Sequence, residues 1–416
     1  MEHTAVDDAR QASADLTQGR PWSVRIAVQL TVLSAAAFIY VTAEMVPVAA
    51  LPAIASDLRV SEALVGTLLA SYALVAAITT VPLVRLTAHW PRRRALLLTL
   101  LCLTASQLIS ALAPNFAVLA VGRVVCAVTH GLMWSLIAPI GARLMPPTHV
   151  GRATAAVYLG TTLALVVGNP LTAAMSQVWG WRLAVVVVGA AAASITAATW
   201  LTLPRMALSK EHVQTARSQE RHYRNGRLVT LSVLTLVGVT GHFVSYTFIV
   251  LIIQNVVGVH GPQLAWLLAA YGIAGLASMG LLARPADRRP GAAVIGCLSA
   301  LVVAFVVLTV LAVTGQPAIV AMLVGSAAIV LWGAAATALP PMLQSTAMRS
   351  APKDPDGASG LYVAAFQVGI MAGSLAGGLL FACGSVPAIV AASALLVTTA
   401  LTGVLSNRGL FRLAAM

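Results

Sequence analysis

A chain of 416 residues that is 59% hydrophobic and only 9% charged, with mean hydropathy +0.91, cannot cover a water-soluble domain with polar surface. Its net charge of +13 would suit a nucleic-acid partner, but the basic residues recur in alternate loops between apolar runs. That is the distribution of membrane insertion, so no nucleic acid is expected.

Residues 1–22 are polar, with four acids and two arginines, and lack the basic-then-apolar order of a cleaved signal peptide. They are expected to form a cytoplasmic tail. Twelve apolar runs follow, at 24–50, 62–86, 94–113, 115–140, 151–178, 182–203, 228–256, 262–283, 291–314, 317–343, 357–381 and 385–405. Each is near the roughly 20 residues that cross a ~30 Å hydrocarbon core as a helix. Helices close their own backbone hydrogen bonds, so an all-α integral membrane protein with twelve transmembrane helices is expected.

With the N-terminus inside, 22 of the 25 basic residues fall on the cytoplasmic side, against Arg59 and Arg182 outside and Arg123 within a run. Both termini are therefore expected in the cytoplasm of a multi-pass protein of the cell membrane. The polar segment 204–227 divides the chain, giving a first bundle at 23–203, a linker, a second bundle at 228–406 and a tail at 407–416. The halves repeat at an offset of 199, with "LLASYAL" at 68–74 against "LLAAYGI" at 267–273. Two parallel, pseudo-symmetric six-helix bundles around a central cavity follow. Cys102, Cys126, Cys297 and Cys383 lie in separate runs without paired spacing, so no disulfide or metal site is expected. No cofactor motif and no order of enzymatic residues stands out, and the chain is read as a monomer and not an enzyme.

Several segments resemble the major facilitator superfamily, within it the drug:proton antiporters that include bacterial sugar-efflux transporters. The loop "VRLTAHWPRR" is similar to that family's G-x-x-x-D-R-x-G-R-R gate, keeping Arg92 and Arg93 but carrying Ala88 in place of the acid of the gating salt bridge. The second-half copy, "ARPADRRPG", keeps Asp287 and Arg288. "VGRVVCAVTHGLMWS" resembles the antiporter motif with a buried arginine, and "GTTLALVVGNPL" the Gly-Pro antiporter motif. "FIYVTAEMVPV", "THGLMWS" and "GHFVSYTFI" resemble the sugar-efflux branch, which has a glutamate in helix one and histidines in helices four and seven. The resemblance implies the major facilitator fold and proton-coupled export by alternating access.

Of twelve acids only Glu44 is embedded, ~28 Å by helical rise from Arg25 and ~20 Å from Asp57. Burial there favours the neutral form unless the carboxylate is paired, the property a proton carrier needs. Arg123, ~14 Å along the helix from Pro114, reaches a depth that permits a pair with Glu44. The two are read either as a coupling pair or as a fixed link between helices.

His130 and Trp134 follow Arg123 at two and three turns and share its face. His242 lies mid-membrane with Tyr246 one turn on. Each histidine relays protons, contacts substrate or closes an interhelical hydrogen bond. Tyr40 and Gln367 are candidate partners of a polar ligand, or interhelical glue. Gly168 and Pro170 are candidates for a hinge or a packing kink. With few charges near the cavity, a small hydroxylated solute, foremost a sugar, is expected as cargo exchanged for protons. The alternatives are amphenicol-type drugs, purine nucleosides, or a non-transporting receptor on the same fold.

Overall fold

The computed structural model describes residues 23–206, 225–260, 262–314, 316–383 and 385–411. The tail expected at 1–22, most of the expected linker and the last five residues lie outside them. Among the described residues the chain is helical, without strands. The first half comprises α1 (Val24–Ala49), α2 (Leu51–Leu58), α3 (Glu62–Leu86), α4 (Arg92–Ala111), α5 (Phe116–Arg143), α6 (Val150–Leu163), α7 (Asn169–Trp179) and α8 (Trp181–Thr202). The second comprises α9 (Gly226–Tyr246), α10 (Ile249–Ile252), α11 (Pro262–Arg288), α12 (Pro290–Thr314), α13 (Ala318–Ser350), α14 (Pro355–Ala382) and α15 (Val386–Ser406). Eleven spans are long and apolar enough to cross a membrane among the described residues, α6 and α7 together forming one, and α3 with 25 residues completes the twelve.

Short polar side chains start these helices. Ser23, Ser61, Asn115, Asn225, Asp354 and Ser385 each accept a hydrogen bond from the backbone N–H three residues on, filling a donor that the first turn leaves open. Three boundaries differ from the hydropathy reading. The run 228–256 breaks after Tyr246 and resumes as α10 and a π turn, Ile253–Val257, which Gly258 ends at φ 78°. The run 151–178 is interrupted by a π turn at Ala164–Gly168. The run 317–343 continues to Ser350, because the polar residues that follow it are buried and their donors find partners. Gln344 donates to Trp134 O and Ser359 Oγ, while Ser345 and Thr346 donate to Met342 O.

In the first half α5 packs on α3 and α4, and α1 on α6 and α8; in the second, α13 packs on α11 and α12, and α9 on α14 and α15. The halves meet where α14 lies on α3 and α5, and where α6 lies on α11 and α13. These are corresponding helices of the two repeats, as a pseudo-twofold requires. The outer surface carries Leu101, Leu108, Val178, Leu281, Val313 and Leu323 in the open, a coat suited to lipid and not to water.

At the end opposite the arginine-rich loops, Asp57 of α2 accepts from Trp181 Nε1 at 3.0 Å and pairs with Arg182. The Arg182 hydrogen bond holds the Asp57 carboxyl below the usual aspartate range.

Gly160 shows how closely α6 approaches α1, since a Cβ there would run into the backbone carbonyl of Ser34. Gly160→Val is expected to cost about 3 kcal/mol, read as a lower melting temperature or lost monodispersity on size exclusion in detergent. Because the folded Asp57 carboxyl is depressed, the link from α2 to α8 is present above the ordinary aspartate range and is lost as pH falls through its folded value. Asp57→Asn is expected to remove that acid-side dependence from the melting curve.

Candidate functional site

The first-half site begins with a proline. Pro47 inside α1 has no N–H, so the carbonyl of Ala43 four residues earlier loses its helical donor. Arg123 on α5 supplies the replacement, donating Nη1 to Ala43 O at 2.8 Å and Nη2 to Glu44 O at 2.9 Å. Its guanidinium lies 4.9 Å over the Tyr72 ring. The Arg123–Glu44 ion pair that their depths permit is not formed in this structure: Arg123 grips the backbone of α1 at Glu44 and not its carboxylate. The first of these hydrogen bonds goes to the carbonyl that Pro47 leaves without a helical donor.

The Glu44 carboxylate turns instead toward His130, with Oε2 at 4.0 Å from Nδ1. The same Nδ1 lies 2.9 Å from the Tyr72 hydroxyl, which also contacts Cys126 Sγ at 3.2 Å. Tyr40, wholly buried, meets His130 edge-on at 5.6 Å and places its hydroxyl 3.4 Å from Cys126 O and 3.3 Å from Thr129 Oγ1. Trp134 continues this face, its ring 6.2 Å from His130 and 5.5 Å from Tyr158. Glu44, Tyr40, His130 and Trp134 are thus brought together, with Tyr72 as a member that a lone aromatic in an apolar run did not reveal.

The second half carries an aromatic box without a charge. His242 stacks on Tyr246 with centroids 5.1 Å apart, and its Nδ1 accepts from Trp332 Nε1 at 2.9 Å. Tyr271 lies 6.1 Å from Tyr246 and 5.8 Å from Trp332. Gln367 is buried on α14 but makes no hydrogen bond to any of these residues.

Hydrogen bonds and ion pairs between the halves gather toward the arginine-rich end. Asp356 at the start of α14 accepts from Arg92 Nε and Arg143 Nη2, each at 2.6 Å, with its side chain only 3% exposed. Asp287 at the end of α11 accepts from Gly151 N at 2.6 Å, pairs across the interface with Arg152 at 3.1 Å, and is held in its own half by Arg349 at 3.2 Å. Arg143 and Arg349 close the fourth helix of their respective halves, so the two latches are pseudo-symmetric. In one of them the acid has changed sides: Ala88 leaves the first-half loop without a carboxylate, and Asp356 on the opposite bundle provides it. Deeper contacts run from Gln344 to Trp134 O, at 2.9 Å, and from Thr162 Oγ1 to Met279 Sδ, at 3.2 Å. Toward the other end no hydrogen bond or ion pair joins the halves among the described residues. The chain is thus closed at its arginine-rich end.

Two expected gate residues fall outside these latches. Arg93 donates to Leu203 O at 2.9 Å, tying α4 to the end of α8 within one half, and Arg288 is exposed. Gly168 ends the π turn of the fifth span, against Thr42 of α1, and Pro170 is exposed beyond it.

The sequence model of the major facilitator superfamily matches residues 33–374. The chain belongs to this superfamily of membrane transporters. It is 63% identical over 395 residues, 95% of either chain, to a chloramphenicol efflux pump of Mycobacterium tuberculosis strain H37Rv, and equally to its counterpart in strain CDC 1551. Solved folds superpose at low identity. The human organic anion transporter MFSD10 gives a TM-score of 0.72 at 16% identity, over 92% of this chain and 100% of that one. The proton:xylose symporter XylE gives 0.70 at 14%, over 92% and 95%. These two establish the shared twelve-helix major facilitator fold.

Breaking a buried ion pair by removing one partner strands the other charge, at about 3–5 kcal/mol. Asp356→Asn is accordingly expected to lower the melting temperature of the purified transporter by several degrees, whereas Arg288→Ala leaves it unchanged. Equal melting of Asp356→Asn and parent would show that this latch carries no energy.

Proposed function

We propose that this chain is a proton-driven exporter of small neutral, ring-bearing drugs of the amphenicol type, with the arginine-rich end and both termini in the cytoplasm of a bacterial cell. The observation that carries the reading is Glu44, an embedded acid facing His130 in a transporter whose halves, among the described residues, are joined by ion pairs only at the arginine-rich end. The identity to relatives named as chloramphenicol efflux pumps supports the drug alternative over the sugar expected from the cavity residues alone.

In this mechanism the outward site protonates Glu44, and His130 with Tyr72 carries the proton's hydrogen bonds. A neutral Glu44 exerts no charge on its surroundings, and α1 can turn against α5 about the Arg123 contact. Arg123 stays on the Ala43 and Glu44 carbonyls and acts as a fixed pivot. The bundles, 23–203 and 228–406, then rock about the α6–α7 break near Gly168 and Pro170, and the latches at Asp356 and Asp287 open to admit cargo from the cytoplasm. Trp134, His242 and Tyr246 are the proposed cargo contacts, while Tyr40 orders the proton site and Gln367 is a further candidate polar group on α14. Cargo binding and proton binding exclude one another, so inward proton flow drives outward export.

Glu44→Gln is expected to abolish uphill export of labelled chloramphenicol in everted vesicles, by at least about tenfold, while exchange down a gradient persists. Uphill export with an unchanged pH dependence in this variant would remove Glu44 from coupling. A panel that also holds labelled sugars and nucleosides decides the cargo, since a drug exporter ignores both.

A further inference from the structure

We propose that the two embedded histidines have different jobs, and that His242 is a neutral hydrogen-bond donor for cargo, held in one tautomer by Trp332 and placed in an aromatic box that takes a flat ring. The class of ligand is a neutral solute joining an aryl ring to a strong acceptor such as a nitro or carbonyl oxygen. That ligand class rests on the export function proposed above; the tautomer does not.

The argument starts from Trp332. Its indole nitrogen can only donate, and the side chain is wholly buried, with Tyr271 and Phe305 against its ring at 5.8 Å and 4.8 Å. A buried N–H needs an acceptor, and here it is His242 Nδ1 at 2.9 Å. An imidazole nitrogen that accepts carries no proton, so the single N–H of neutral His242 lies on Nε2. Charging the ring would place a proton on Nδ1, facing the indole N–H, and destroy that bond.

The groups around His242 offer a cation ring faces but no counter-ion. They are Phe243 and Tyr246 on its own helix, at 4.9 Å and 5.1 Å between centroids, and Trp332 on α13, with Tyr271 of α11 behind Tyr246. No acid pairs with His242 among the described residues. His130 differs at each point: its Nδ1 meets a hydroxyl, which donates or accepts, and a carboxylate stands 4.0 Å away. One histidine can follow a proton and the other cannot.

The Nε2–H of half-buried His242 has no protein partner among the described residues. Against the imidazole lie the rings of Phe243 and Tyr246, with Tyr271 behind Tyr246, a surface for stacking. A ligand ring laid there with an acceptor toward Nε2 fills both requirements, and a ligand without the acceptor leaves the donor stranded.

Two measurements test this on the full-length protein. In nitrogen-15 spectra of histidine-labelled transporter, His242 should show one protonated nitrogen, Nε2, unchanged from about pH 8 to about pH 5, while Trp332→Phe makes it titrate. Double protonation in the parent over that range, or a proton on Nδ1, would overturn the assignment. In equilibrium binding, His242→Asn keeps an acceptor for Trp332 but loses the distal donor, and should weaken chloramphenicol by about tenfold with the pH profile of transport unaltered. Parent-like binding, or a shifted pH profile, refutes the cargo role. If the parent binds no chloramphenicol, the amphenicol reading and the cargo role fall together, and the spectra still decide the tautomer.

Discussion

The arrangement of the first bundle depends on a missing amide proton. Pro47 takes one donor out of a helix that crosses a medium without water, and the carbonyl of Ala43 must find another. Arg123 answers it and covers Glu44 O as well, which fixes α5 against α1 at the level of the embedded acid. Because the guanidinium is committed to the backbone, the Glu44 carboxylate is left to face His130 and Tyr72. A permanent ion pair would have locked the acid in its charged form. Attachment through carbonyls holds the helices without committing the carboxylate to a counter-ion.

The two halves share a fold and differ in chemistry. Corresponding helices meet across the interface, and each half ends its fourth helix in an arginine that binds an acid. Yet the embedded acid is found in the first half, and the densest aromatic cluster in the second. The latches show how such divergence is tolerated. What a closed end requires is opposite charges buried together, and either bundle can contribute the acid, so Ala88 and Asp356 preserve the contact that the first-half loop alone has lost.

Much of the fold was legible in composition. The twelve spans, the division into halves and the repeat at 199 residues follow from apolar run length and from self-similarity, both of which are written along the chain. The end of the run 317–343 was misplaced because hydropathy counts Gln344, Ser345 and Thr346 as polar without seeing their partners. Of the site, Glu44, His130, Trp134 and Tyr40 stood out because polar or aromatic residues at helical spacing in an apolar run are conspicuous, and they do converge. Tyr72 and Trp332 did not stand out, because a lone aromatic in such a run reads as packing. Asp356 was hidden among loop acids, its role set by two arginines 264 and 213 residues away.

The sequence by itself determined that this chain lives in a membrane, how many times it crosses, and which acid is left inside, since each depends on the transfer energy of consecutive side chains. Which group answers that acid was decided only by tertiary structure. Arg123 and His130 lie two turns apart on one helix face, and spacing alone cannot say which of them a carboxylate on another helix will meet. The amide proton missing at Pro47 settles it, by drawing the guanidinium to the backbone and leaving the carboxylate to the imidazole.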